Sequence, residues 1–267
     1  MRNTKKKKLV YGLIVAVLLT IVLILAWPSK RLATGGLSSL KNSKDTKKTV
    51  PPDSNFNKQQ YPTDQASSLW VVVNKGRALP SSYVPSDLVV PKMQLRYSAA
   101  LPDMHVRSDA AAALGQMFDA AGQSGLNLML TSGYRSYSSQ VVVYGNYVKQ
   151  SSVAQADTFS ARPGHSEHQT GLAADLEPYD QKCELDQCFG DTPEGKWLAA
   201  NCYKFGFIIR YPKDGQAMTG YVYEPWHVRY VGKDLANQLY KSGMTLEQFF
   251  GLPIYTNYAS NSLTLKL

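Results

Sequence analysis

The stretch that most limits how this chain can fold is LVYGLIVAVLLTIVLILAW, residues 9 to 27, nineteen residues without a charge and with Thr20 as the only strongly polar member. At about 1.5 Å of rise per residue, an α-helix of that length nearly spans the roughly 30 Å of a hydrocarbon core. A cleaved signal peptide would have an apolar region of about 7 to 15 residues and then a small-x-small site. This run is longer and ends in Trp27-Pro28. An uncleaved transmembrane anchor is therefore expected. Lys5 to Lys8 precede it, which keeps residues 1 to 8 cytoplasmic and sends residue 28 onward outside, although Lys30 and Arg31 weaken the asymmetry.

The anchor's flanks also explain the net charge of +9. Residues 1 to 50 hold eleven Lys and Arg against one acid, Asp45, leaving 18 basic and 19 acidic side chains on the remaining 217 residues. A nucleic-acid surface needs a basic excess on the folded body itself, and none is present. Residues 28 to 66 are rich in Ser, Lys, Thr, Asp, Gln and Pro, which cannot offset the entropy of ordering, so a flexible linker is expected there. The folded body is expected over residues 67 to 255, with residues 256 to 267 as a polar tail.

Within the body, SDAAAALGQMFDAAGQSG predicts an amphipathic helix, with Ser108 as N-cap candidate and Ala111, Leu114, Phe118 and Ala121 at helical spacing. LNLMLTS predicts a strand and SSQVVVYGNYVKQ a helix. LAADLEP, FGFIIRYP and EPWHVRYVG predict further strands, and TPEGKWLAANCYKFG a helix capped by Thr192 with Pro193 in its first turn. Short helices are expected at KDLANQLYKSG and TLEQFFG. Without a regular β-α-β alternation, the pattern favours an α+β fold, a small antiparallel sheet with flanking helices. Of the three cysteines, Cys183 and Cys188 flank the loop CELDQC and are the expected disulfide pair on the exported side, while Cys202 falls on an apolar stripe as a buried thiol.

The chemistry concentrates in HSEHQTGLAADL, residues 165 to 176. His168 and Asp175 stand either side of small residues that leave room for an ion, and a third ligand is available at His227 in EPWHVRY. A His₂Asp set leaves a fourth position open, the arrangement of a catalytic zinc rather than a structural one. Glu224, three residues before His227, is then placed to take a proton from water and return it to a leaving amine. Arg135, at the strand-to-helix turn in TSGYRSYSSQ, would stabilise an oxyanion or hold a substrate carboxylate. Taken singly, each of these residues has an ordinary structural reading.

Together, SGYRSYSSQ, PGHSEHQTGLAADL, GFIIRYP and EPWHVRYVG, in this order, resemble the zinc D,D-carboxypeptidases of the VanY type, a group that includes VanX-like D,D-dipeptidases and L,D-carboxypeptidases. The likeness covers roughly residues 69 to 255, including VVVNKGRALPSSYVPSDLV as an entry segment, and leaves out the anchor and linker. It implies the zinc D,D-peptidase, hedgehog-like fold. It also implies one Zn²⁺ on His168, Asp175 and His227, Glu224 as general base and acid, and Arg135 engaging the substrate and its oxyanion. Ser166 matches a position contacting the substrate's terminal carboxylate and Gln140 a substrate-contacting glutamine; His165 is expected at the pocket rim. The implied partner is a peptidoglycan or precursor stem peptide that loses its C-terminal D-alanine. An L,D-carboxypeptidase acting on tetrapeptide stems uses the same groups, so that alternative stays open. A non-catalytic wall-binding module is disfavoured because Glu224 and all three ligands are present.

Overall fold

A computed structural model describes residues 51 to 53 and 55 to 267. The cytoplasmic tip, the anchor at 9–27 and most of the expected linker lie outside the described residues. Among the described residues, no helix is long and apolar enough to cross a membrane.

The centre is a four-stranded antiparallel sheet of β4 (Leu128–Ser132), β5 (Ala173–Pro178), β6 (Phe207–Tyr211) and β7 (Glu224–Tyr230), in the order β4-β5-β7-β6. Two smaller pairs lie outside it. β1 (Arg77–Ala78) runs parallel to β8 (Leu263–Thr264), and β2 (Leu88–Val89) antiparallel to β3 (Val106–Arg107). This is the small antiparallel sheet with flanking helices that the sequence predicts.

Period-2 alternation gives the central sheet two different faces. Ala174, Leu176 and Val228 join the largest apolar cluster, with Ala110, Leu114 and Met117 of helix α1 (Ser108–Gln123) and Leu198 of α4 (Pro193–Asn201). Asp175, His227 and Arg229 alternate with those residues and are buried too. Two further apolar clusters complete the body. One joins Val71, Val73 and Leu79 to Leu172 and Leu265, and the other joins Val72 to Leu235 of α6 (Lys233–Ser242) and Phe249 of α7 (Leu246–Phe250); the short α5 (Gln216–Thr219) lies between β6 and β7 in the chain.

Several expectations need correction. Ser108 is the first residue of α1 rather than its cap, because Arg107 holds the extended N-cap conformation and the Ser108 hydroxyl donates to Asp87 instead, at 3.2 Å. Helix α2 (Tyr137–Gln150) is followed by a separate α3 (Val153–Phe159), capped by Ser152, that apolar periodicity does not signal. Residues 256–267 are no loose tail: Leu265 is 2% exposed, and the backbone N–H of Leu263 and Leu265 donates to Gly76 and Ala78. The described end of the expected linker is likewise folded, with Phe56 stacked on Tyr61 and edge-on to Phe249. In both segments a few apolar residues, spaced too irregularly to form a periodic pattern, find partners far away in sequence.

Charged groups are also buried. Glu167 accepts from Arg210 Nε and Arg229 Nη1, both at 2.8 Å, and Arg210 also reaches Glu247 at 2.6 and 3.0 Å. Burial alone would raise the Glu247 carboxyl, but Arg210 holds it below its ordinary 4.5, and Arg210 and Arg229 do the same for Glu167.

Two outcomes follow. Carboxylates with depressed pKa stabilise the fold fully above their unfolded value of 4.5 and lose that contribution as pH falls through the folded value; acid titration followed by circular dichroism should therefore show cooperative unfolding below about pH 4. Truncation after Asn261, which removes β8 and Leu265, should cost about 2–5 kcal/mol in urea unfolding, whereas a loose tail would cost nothing measurable.

Candidate active site

Antiparallel pairing of β5 with β7 sets Asp175 directly opposite His227, and pairing of β4 with β5 sets Ser132 opposite Asp175. Tyr211 of β6 lies opposite Glu224 in the same way. His168 comes from outside the sheet, on the 3₁₀ turn Glu167–Thr170 that leads into β5. That turn closes on Gly171 in the left-handed region at φ 67°, where an added Cβ would also crowd Leu88 and Arg107 at 2.9 and 3.0 Å. Glycine is therefore required for the turn to deliver His168 onto Asp175.

The resulting geometry is tight. Asp175 Oδ2 lies 3.2 Å from His168 Nε2 and Asp175 Oδ1 lies 3.2 Å from His227 Nδ1. The two imidazoles sit nearly perpendicular with centroids 5.0 Å apart. Their ligand atoms and the Asp175 carboxylate oxygen all fall within 4.8 Å of one another. His168 Nδ1 is 2.7 Å from the carbonyl oxygen of Gly133, which can only accept, so the proton sits on Nδ1 and the Nε2 lone pair faces Asp175 and the cleft.

This donor set fits a zinc ion. Two imidazole nitrogens and one carboxylate oxygen form the mixed set that Zn²⁺ accepts in open sites. Asp175 Oδ1 is buried with no hydrogen-bond donor among the described residues, which is costly unless a cation satisfies it. Burial lowers the His168 imidazole, favouring the neutral form that ligates. The flanking histidines hold the Asp175 carboxyl well below its usual range despite its burial.

Glu224 Oε2 lies 3.7 Å from His227 Nδ1. Burial pushes its carboxyl up to about 8, with Asp175 adding to the rise and His227 and Arg135 opposing it. A carboxylate tuned towards neutrality beside a cation site is suited to shuttling a proton. Arg135 is held from two sides, donating to Ser132 Oγ at 2.8 Å and Gln140 Oε1 at 3.2 Å. Gln140 also donates to Ala161 O at 2.6 Å, so both ends of its amide are used to aim Arg135. Ser166 is buried at the turn before His168 and lines the cleft.

All seven predicted site residues, His168, Asp175, His227, Glu224, Arg135, Ser166 and Gln140, line one cleft of about 480 Å³. His165 does not: its Nδ1 is 2.7 Å from Asn74 O, and its ring packs on Tyr258. Sequence reasoning missed the aromatic lining of Tyr211, which ends β6, Tyr221, which precedes β7, Trp226, inside β7, and Phe159 from α3. It also missed Glu167, though this residue sits inside the quoted motif. The Cys183–Cys188 disulfide forms as expected and closes the loop whose Leu185, Asp186 and Gln187 form one wall of the cleft. Cys202 is buried in the main core.

Residues 103–233 match the family model VanY, D-alanyl-D-alanine carboxypeptidase. YodJ of Bacillus subtilis (strain 168), a carboxypeptidase by name only, is 42% identical over 218 residues, 77% of this chain and 80% of its own. The chain belongs to the VanY family. Two solved structures agree with this membership. The LdcB LD-carboxypeptidase, whose structure concerns peptidoglycan recognition, is 45% identical with a TM-score of 0.67, over 70% of this chain and 87% of that one. A variant of the vancomycin resistance D,D-pentapeptidase VanY in complex with Zn(II) is 31% identical with a TM-score of 0.54, over 69% of this chain and 99% of that one.

Equilibrium dialysis against zinc should find stoichiometric, chelator-removable metal on the folded chain. Asp175→Ala, which removes the carboxylate between the two imidazoles, should lower zinc affinity by at least about 100-fold; retention of full affinity would place the metal elsewhere.

Proposed function

We propose that this VanY-family chain is a zinc carboxypeptidase that removes the C-terminal D-alanine from peptidoglycan stem peptides, of the D,D type that the family model names. In this reading residues 9–27 anchor it in the membrane with the body outside. The observation that carries the proposal is the convergence of His168, Asp175 and His227 within 4.8 Å, with the Glu224 carboxylate beside them.

When bound, zinc supplies Lewis acidity to the substrate carbonyl and to the attacking water. The chain's own residues handle protons and position. Glu224 in its ionised form would take a proton from the attacking water and pass it to the nitrogen of the departing D-alanine; burial raises its carboxyl to about 8 without metal, which favours holding the proton between the two steps, and a cation on the neighbouring ligands would favour the ionised form that begins them. Arg135, fixed by Ser132 and Gln140, supplies a cation for the developing oxyanion or the substrate's terminal carboxylate. Ser166, on the cleft wall next to the metal-ligand turn, offers a hydroxyl to that carboxylate. The aromatic side chains of Tyr211, Tyr221 and Trp226 give the cleft an apolar wall that excludes water around the reacting bond.

One observation favours a second reading, cleavage after an L-centre: LdcB, an LD-carboxypeptidase, is 45% identical against 31% for the D,D-pentapeptidase VanY. The soluble body beginning at residue 51 should be offered pentapeptide stems ending in D-Ala-D-Ala beside tetrapeptide stems ending in a single D-Ala. Chelator-sensitive release of D-alanine from the pentapeptide supports the D,D reading, and release confined to the tetrapeptide supports the L,D one. Glu224→Gln should keep its zinc and lose about 100-fold or more in kcat. Release from neither stem by a zinc-loaded wild type would leave a binding module instead.

A further inference from the structure

Tyr258 belongs to the segment that reads from sequence as a polar tail, and it does not itself line the cleft. Two parts of the cleft lining nevertheless rest on its hydroxyl. The oxygen lies 3.0 Å from the Tyr221 hydroxyl and accepts the backbone N–H of Arg162 at 2.8 Å. Tyr221, 3% exposed, and Ala161 both line the cleft. The Arg162 N–H and the Ala161 C=O belong to one planar peptide unit, so fixing the first fixes the direction of the second. That carbonyl accepts from Gln140 Nε2 at 2.6 Å, and the oxygen of the same side-chain amide accepts from Arg135 Nη1 at 3.2 Å. Hydrogen bonds therefore run without a break from Tyr258 to Arg135 through two planar amides aligned head to tail, an arrangement in which each bond polarises the next.

We propose that Tyr258 is a positioning residue for substrate binding: its hydroxyl fastens Tyr221 in the cleft lining and, through the Ala161–Arg162 peptide and Gln140, fixes the direction of Arg135. Packing the C-terminal segment against the body needs only the tyrosine ring, over which the Arg162 guanidinium lies at 4.3 Å. The hydroxyl adds nothing to that packing, and both of its contacts go to residues that build the cleft. Lys75, 2% exposed, holds the two tyrosines together from behind. Its ammonium donates to Gly220 O at 2.6 Å and Thr256 O at 3.0 Å and lies 4.8 Å from the Tyr221 ring and 5.5 Å from the Tyr258 ring. The backbone next to each tyrosine thus hangs on one buried cation, which keeps the hydroxyls in register. Only the consequence for the substrate rests on the carboxypeptidase reading; the aim of Arg135 does not.

The test uses Tyr258→Phe, which keeps the ring and removes only the hydroxyl. On zinc-loaded protein, kcat/KM for release of D-alanine from stem peptides should fall about 10-fold, mostly through KM, because the groups that lose their support are those that receive the substrate. Zinc affinity should not change, since the relay contains none of the three candidate ligands. Nitrogen-15 spectra of the Arg135 guanidinium, assigned by their loss in Arg135→Lys, should shift and broaden in Tyr258→Phe. A tyrosine that only stabilises the fold would lower resistance to urea and leave KM and the Arg135 signal as in the wild type, and that result overturns the proposal. A loss confined to kcat, or a parallel fall in zinc affinity, overturns it too. If the zinc-loaded wild type releases D-alanine from neither stem, the carboxypeptidase reading falls and the Arg135 signal alone decides whether Tyr258 aims it. If Tyr258→Phe does not fold, amide exchange in the wild type decides: a protected Arg162 N–H supports the proposal, and exchange at the open-chain rate overturns it.

Discussion

Two carboxylates and two guanidiniums, each with 0% side-chain exposure, meet where four separate parts of the chain cross. Glu167 comes from the turn before β5, Arg210 from β6, Arg229 from β7 and Glu247 from α7. Arg229 extends the network to the backbone carbonyls of Leu69 and Val71, and Asn74 donates to Glu247 at 3.1 Å. Burying such charges is expensive, and their mutual attraction offsets the cost only when nearly every donor and acceptor is matched. A hydrophobic cluster of the same volume could hold these elements together as well. What the charges add is direction: a guanidinium fork donates its hydrogen bonds at fixed angles, so the 3₁₀ turn is held in one orientation against the sheet. The turn's next residue is His168, and the network therefore sets the position of one side of the candidate metal-ligand set.

The other side is set by register. Asp175 and His227 face each other because β5 and β7 pair in one frame, and a slip of one residue would send Asp175 into the apolar core and bring Ala174 to the cleft. The same pairing puts Arg229 two residues beyond His227 on the same face, where it meets Glu167. Fold stability and site geometry thus draw on the same strand alternation. The apolar face, with Ala174, Leu176 and Val228, makes the frame stable, and the polar face uses it.

Much of this was legible in the chain. The strands and helices with strong periodicity were readable, and so were Thr192 as a cap and the Cys183–Cys188 pair. The seven candidate site residues, which the structure brings to one cleft, stood out because the proposed chemistry needs particular side chains in a particular order. What escaped the reading depended on partners far away in sequence. Nothing in HSEHQTGLAADL marks Glu167 as buried, and nothing in FIIRYP says what Arg210 pairs with. An arginine inside an otherwise apolar strand is itself a signal of a buried acid elsewhere, but sequence alone does not say which acid. The C-terminal segment was misread for the same reason, since Leu265 earns its burial only against Val71, Val73 and Leu172.

The site's electrostatics follow from stacking these constraints. Asp175 carries the charge that both histidines share, and burial around it raises Glu224 in the same cleft. Two carboxylates in one buried site are thereby driven to opposite behaviour: one stays ionised because imidazoles flank it, and the other is raised because burial outweighs the pull of His227 and Arg135. A divalent cation entering between the histidines would meet a ready anion in Asp175 and would also draw the Glu224 proton towards release. The contrast between an ionised carboxylate and a proton-carrying neighbour is thus built into the positions they hold, Asp175 within β5 and Glu224 at the first residue of β7.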